Sequence, residues 1–192
     1  MKSKKTIIIY ALVTILILGG VISAVSLLFN HPLRIEKPTF IYIDRDDTAD
    51  SVYVKLQRDL NATHLTGFKM LARLKKYDQQ IHSGAYRFDA SINTLTLFRR
   101  LSSGHQTPVK VVIPSVRTLS RLARSLDRQL MPDSTEFARL VGDSAFCASL
   151  GFSLETMPAL FIPNTYEAYW NTDAEAFIQR MKKEYERFWT QE

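Results

Sequence analysis

The 192-residue sequence contains a single cysteine, Cys147, so no disulfide can form within the chain. Set between Phe146 and Ala148, its thiol reads as a small buried hydrophobe. The four histidines, His31, His64, His82 and His105, fall at no metal-ligand spacing. The seven glycines form no phosphate-cradling loop. No metal and no nucleotide cofactor is therefore expected. Charge is absent from Thr6 to Phe29, directly behind Lys2, Lys4 and Lys5. Those lysines supply half of the net charge of +6, leaving 22 basic against 19 acidic residues. So slight an excess is no signature of nucleic-acid binding, and none is expected. It suits an anionic polymer or a membrane surface.

The uncharged run is long enough, at about 1.5 Å per residue, to cross a hydrocarbon layer of about 30 Å. A cleavable signal peptide has a shorter apolar core, about 7–15 residues. Ser23 to Ser26 is rich in small residues, but the length favours an uncleaved anchor. Lysines on the N-terminal side alone predict a cytoplasmic N-terminus and a C-terminal domain on the outer face of the cell (inner) membrane. A domain of about 160 residues has no core large enough to surround such a helix.

Residues 31–38, with two prolines, read as a linker. A strand–turn–helix pattern then occurs three times. Thr39 to Ile43 is a predicted strand and Val52 to Leu60 a helix, with caps offered by Asp46 to Asp50. Tyr86 to Phe88 is a strand and Thr94 to Leu101 a helix closed by Ser102-Ser103-Gly104. Val109 to Ile113 is a strand and Thr118 to Leu130 a helix. Further helices are expected at Thr66–Tyr77, Ser134–Gly142 and Asp173–Trp189. The fold class is α+β, small mixed sheets with helices packed on one side. The expected parts are 1–30, 31–38, 39–131 and 132–192. In the third of the repeated helices, Leu119, Leu122, Ala123, Leu126 and Leu130 mark the buried face. Arg117, Arg121, Arg124 and Arg128 mark the other. That basic row is either a solvated face or a contact for an anionic glycan or lipid.

The most unusual stretch is Pro158-Ala-Leu-Phe-Ile-Pro-Asn-Thr-Tyr-Glu-Ala-Tyr-Trp170. Aromatic faces beside amide and hydroxyl groups suit a sugar, whose CH faces stack on rings while polar groups read its hydroxyls. A carboxylate among rings is also where poor solvation can raise a pKa. The other reading is a rigid aromatic loop that only packs.

From Ser83-Gly-Ala-Tyr-Arg-Phe88 onward the landmarks follow a familiar order. Leu101-Ser-Ser-Gly104, Val109-Lys-Val-Val-Ile-Pro114, Thr118-Leu119 with Ala123, Asp133-Ser134 with Glu136-Phe137, and Leu160-Phe-Ile-Pro-Asn-Thr-Tyr166 come in turn. Together they resemble the YceG-like (MltG) endolytic murein transglycosylases. The resemblance implies a LysM-like βα portion over 39–131 and the start of a catalytic region over 132–192. It also implies that the sequence is the first part of a longer protein. The implied activity is non-hydrolytic cleavage of peptidoglycan strands to 1,6-anhydro ends. The implied partners are peptidoglycan, the membrane and the cell-wall synthesis machinery. Three positions depart from the family motif: Pro158 stands where it has its acidic residue, Ala159 replaces a glycine, and Asn164 an aspartate. Two glutamates lie near. Glu155, between Ser153 and Thr156, suggests a solvated turn. Glu167, flanked by Tyr166, Tyr169 and Trp170, is expected to be partly dry and to act as the acid–base residue; otherwise it is an exposed glutamate in a turn. Tyr86, Asn164, Thr165, Tyr166, Tyr169 and Trp170 are the expected glycan contacts. The alternatives are a membrane-tethered peptidoglycan-binding scaffold without catalysis, and a bitopic protein that binds neither.

Overall fold

A computed structural model describes residues 4–30, 32–33, 35, 37–62, 65–89, 92–115 and 118–190. Lys2, His31, His64 and Arg117, all named above, lie outside the described residues. Among the described residues the architecture is mixed α/β, with eight α-helices and three two-stranded sheets. The described chain packs as two compact units.

The first unit begins with α1 (Lys4–Phe29), 26 residues or about 39 Å of helix. Its Ile8–Leu27 window has a mean hydropathy of 2.6, and none of it is buried within the protein. It is therefore no core helix, and it is long and apolar enough to span a membrane. Inside the expected linker, β1 (Pro32–Leu33) pairs antiparallel with β4 (Ile92–Asn93). Strand β2 (Thr39–Ile43) pairs with β3 (Gly84–Phe88), and both strands run from one unit into the other. Helix α2 (Ala49–Leu60) starts on a capping box in which the Thr48 and Ser51 side chains each accept from the other's backbone N–H. It buries Val52, Leu56 and Leu60, one face at four-residue spacing. Helices α3 (Thr66–Leu74) and α4 (Thr94–Ser102) bring Phe68 edge-on to Tyr77 at 6.0 Å and to Phe98 at 5.5 Å. The expected helix to Tyr77 stops at Leu74, and Tyr77–Gln79 forms a separate 3-10 turn behind Lys76 in the left-handed conformation.

The second unit contains β5 (Val109–Ile113) paired antiparallel with β6 (Asn164–Ala168), with Val111 opposite Tyr166 and Lys110 opposite Glu167. Around this ribbon lie α5 (Leu119–Asp127), α6 (Ser134–Val141), α7 (Ser144–Ser149) and α8 (Ala174–Thr190). Leu122, Ala123 and Leu126 of α5 are buried, as is Leu130 beyond it. Thr118, Asp133 and Asp143 each cap a helix through the side chain. Cys147 is fully buried, as its neighbours predict, and its thiol donates to the Val141 carbonyl at 3.4 Å.

Gly84 is the one glycine that both close approach and backbone angle demand. It has φ +150°, and a Cβ built there would lie 2.3 Å from the Gln106 side chain. Gly84→Ala is expected to cost about 1–3 kcal/mol, from backbone strain plus displacement of Gln106. The thermal midpoint of the detergent-solubilised chain, followed by circular dichroism, measures it. An unchanged midpoint would mean that Gln106 moves aside freely.

Candidate functional site

The motif segment is a strand, and that decides where its side chains go. Successive residues of a strand face opposite sides. On β6, Tyr166 and Ala168 are buried, while Asn164, Thr165 and Glu167 are exposed. Tyr169 beyond the strand is also exposed. Glu167 is thus not enclosed by its neighbouring rings as adjacency suggested: Tyr166 points to the core, and Glu167 shares the outer surface with Lys110 across the register. Tyr166 donates its hydroxyl to the Ile162 carbonyl at 2.9 Å. Burial pushes that hydroxyl's pKa up, the nearby Glu184 charge adds to the rise, and Arg187 opposes it. Asn164 accepts from the Thr165 N–H at 2.7 Å, which fixes its side chain at the start of the strand.

Trp170 is half-buried, edge-on to Tyr42 at 5.0 Å, and its carbonyl accepts from the Met131 N–H at 2.8 Å. Asn171 donates to both the carbonyl and the hydroxyl of Ser83, at 2.9 and 3.2 Å. The Ser83-Gly-Ala-Tyr motif is in this way tied to the end of the aromatic segment. Tyr86 has no exposed surface, and burial drives its hydroxyl up to about 12. It is placed as a core residue rather than as an open stacking face for sugar. Glu155 lies in an exposed turn, where Ser153 and Thr156 hydrogen-bond one another.

One concavity of this unit lies beside the strand, and Glu167 is not among its lining residues. A half-open pocket of about 370 Å³ is framed by Pro114 and the start of α5, by Pro158 to Pro163, and by Phe188 and Trp189 at the end of α8. Pro158 and Ala159 are themselves on its wall, in the 3-10 turn Met157–Leu160. The lining is mainly apolar, and among the described residues it holds no carboxylate. It can receive the apolar face of a ring. Trp189 is 58% exposed and Phe188 45%, large values for such side chains. Sequence reasoning did not place them in a site. Their signal was there, two adjacent rings ending an otherwise charged helix.

A groove of about 530 Å³ adjoins this pocket, sharing Pro114 as a wall and edged by Arg121, Arg124 and Arg128. Next to Arg128, Gln129 closes the outer edge of β5. Its carbonyl oxygen accepts from the Val112 N–H at 2.8 Å, and its amide donates to the Val112 carbonyl at 3.0 Å and to the Ser125 carbonyl at 2.9 Å. This is why α5 stops at Asp127 rather than at the expected Leu130: the turn that follows sends Gln129 to the strand.

Among curated proteins none matches the chain. The crystal structure of a YceG-like protein from Listeria monocytogenes (lmo1499) is similar at 18% identity and a TM-score of 0.40, over 78% of this chain and 55% of that one. The present chain therefore spans little more than half the length of that protein. The family model of the YceG-like family matches residues 41–192, which take in both the strand motif and the apolar pocket. By that match the chain belongs to the YceG-like family.

Proposed function

We propose that this chain works as a membrane-anchored endolytic lytic transglycosylase on peptidoglycan. The observation that carries the reading is the family match over residues 41–192 behind a 20-residue apolar window with no buried surface. In this reading α1 spans the membrane with a cytoplasmic N-terminus, and the rest lies on its outer face. The βα portion, 39–131, acts as a LysM-like glycan grip, and 132–192 begins the catalytic region. Cell-wall synthesis enzymes are the proposed neighbours.

The reaction needs one carboxyl group. It protonates the glycosidic oxygen between N-acetylmuramic acid and N-acetylglucosamine as the bond from that oxygen to C1 breaks. The muramyl 6-hydroxyl closes on C1 and returns its proton to the carboxylate. The nucleophile is tethered to the substrate, so no water has to be activated and no second carboxylate is required for it. Glu167 is the proposed acid–base residue, with Thr165 and Tyr169 in phase with it along the chain and Asn164 at the exposed start of the strand. Exposed as it is, it depends on the glycan strand itself to cover it, and the strand would lie along β6. The buried Tyr86 and Tyr166 would support that surface from beneath, and Trp170 would border it.

The test is release of anhydro-muropeptides from purified sacculi by the complete reading frame in membranes. Glu167→Gln is expected to lower the rate by about 10²–10⁴, the usual contribution of a positioned acid–base group. Full activity of Glu167→Gln would end that assignment. A dead Glu155→Gln beside it would move the role to Glu155, and two active variants would place the acid at neither glutamate. The second reading is a tethered peptidoglycan-binding scaffold. It is favoured by Pro158 at the motif's acid position, on the wall of the pocket. Sedimentation with sacculi that yields no anhydro product at all would support it.

A further inference from the structure

The arginine face of α5 carries charge that no described residue meets in an ion pair. Arg121, Arg124 and Arg128 are exposed, and among the described residues none of their guanidinium groups makes an ion pair or a hydrogen bond. They follow one another at three- and four-residue spacing along about 10 Å of chain. Like charges so placed oppose helix formation by a few tenths of a kcal/mol per pair. Asp127 also lines this groove and accepts from the Ser134 N–H at 3.0 Å; its one negative charge stands against three positive ones. Across Pro114 the groove meets the apolar pocket with Phe188 and Trp189 on its wall.

An apolar pocket for a ring face, sharing Pro114 with a groove edged by a row of forked cations, is complementary to a sugar that bears carboxylates a few ångströms away. Guanidinium forks pair with carboxylates in two-point geometry. We infer that the α5 face holds the carboxylates of the peptide stems borne by peptidoglycan while the adjoining pocket takes the sugar. The inference rests on the proposed peptidoglycan reading and adds to it the part of the substrate that this surface selects. The stems, which are absent from bare glycan, are the source of charge proposed here, rather than anionic lipid.

The test uses the full chain in nanodiscs of neutral lipid, sedimented with sacculi freed of covalently attached anionic polymers. Half of the sacculi have their stem carboxylates converted to amides by carbodiimide and methylamine. Wild type is expected to bind untreated sacculi about tenfold more tightly than amidated ones at low salt, in line with three exposed ion pairs. The gap should close at about 0.5 M salt, where charges are screened within a few ångströms. The triple variant Arg121→Gln, Arg124→Gln, Arg128→Gln should bind both preparations as wild type binds the amidated one. Its fold is not at risk, because the change relieves repulsion. Equal binding of wild type to both preparations, or a variant that binds like wild type, overturns the inference and leaves the peptidoglycan reading standing. Loss by the variant of binding to anionic vesicles alone overturns it in favour of lipid. Failure of wild type to bind either preparation overturns the underlying reading, and this inference falls with it.

Discussion

Phe177→Ala is expected to remove a large part of the stability of the second unit. Phe177 has no exposed surface, and its ring meets that of Phe137 edge-on at 5.9 Å, so that α8 is keyed to α6. Truncating a buried phenylalanine costs about 3–5 kcal/mol, from lost transfer energy plus the cavity left behind. A small domain has only about 5–15 kcal/mol in hand. The loss should appear as a fall of the urea midpoint with a broadened near-ultraviolet signal. Phe188→Ala on the same helix is the control: its ring is 45% exposed, and the midpoint should move by no more than about 0.5 kcal/mol. Equal effects of the two changes would mean that α8 is not held through Phe177.

The second large effect is expected in α1. The Ile8–Leu27 window contains twelve isoleucine, leucine and valine residues. At about 0.3–0.6 kcal/mol each they favour insertion by several kcal/mol, before the small and polar residues are set against them. One arginine near the middle costs about 2.5–3.5 kcal/mol, which the window can absorb, whereas two exceed it. Leu12→Arg with Leu16→Arg should therefore shift the chain from the carbonate-resistant membrane pellet to the soluble or aggregated fraction. Leu16→Arg alone should leave most of it in the pellet. A double variant still resistant to carbonate would show that something other than this helix holds the chain to membranes.

Strands β2 and β5 have the bounds that their β-branched and aromatic residues predict, Thr39–Ile43 and Val109–Ile113. The buried stripe of α5 was legible because four of its five apolar positions repeat at helical spacing and are buried. The less visible elements depend on partners far away in sequence. Asn164 to Ala168 opens just after a proline and contains Asn and Glu, poor strand formers. Only β5, more than fifty residues earlier, makes it a strand. Read as a loop, the segment hid its two-residue alternation, and that concealed both the burial of Tyr166 and the exposure of Glu167. Helix α7 has six residues, too few to show a period, and it rests on the Asp143 cap. Pro32–Leu33 read as linker because a two-residue strand exists only through its pairing with Ile92–Asn93. The rings of Phe188 and Trp189 were visible in sequence, but the pocket they wall needs Pro114 and Pro158 brought to them.

The Gln129 side chain also bears on how such chains behave when crowded. In the proposed membrane-anchored state every copy is held at one level, so neighbouring domains meet repeatedly in two dimensions. A two-stranded ribbon is poorly protected in such a crowd, since a bare strand invites the strand of another copy and then a stack of them. By occupying both backbone groups of Val112, the Gln129 amide acts as a built-in blocker against that templating. The protection is supplied in cis, by a side chain two residues beyond a helix end, and it requires neither a proline in β5 nor a covering partner.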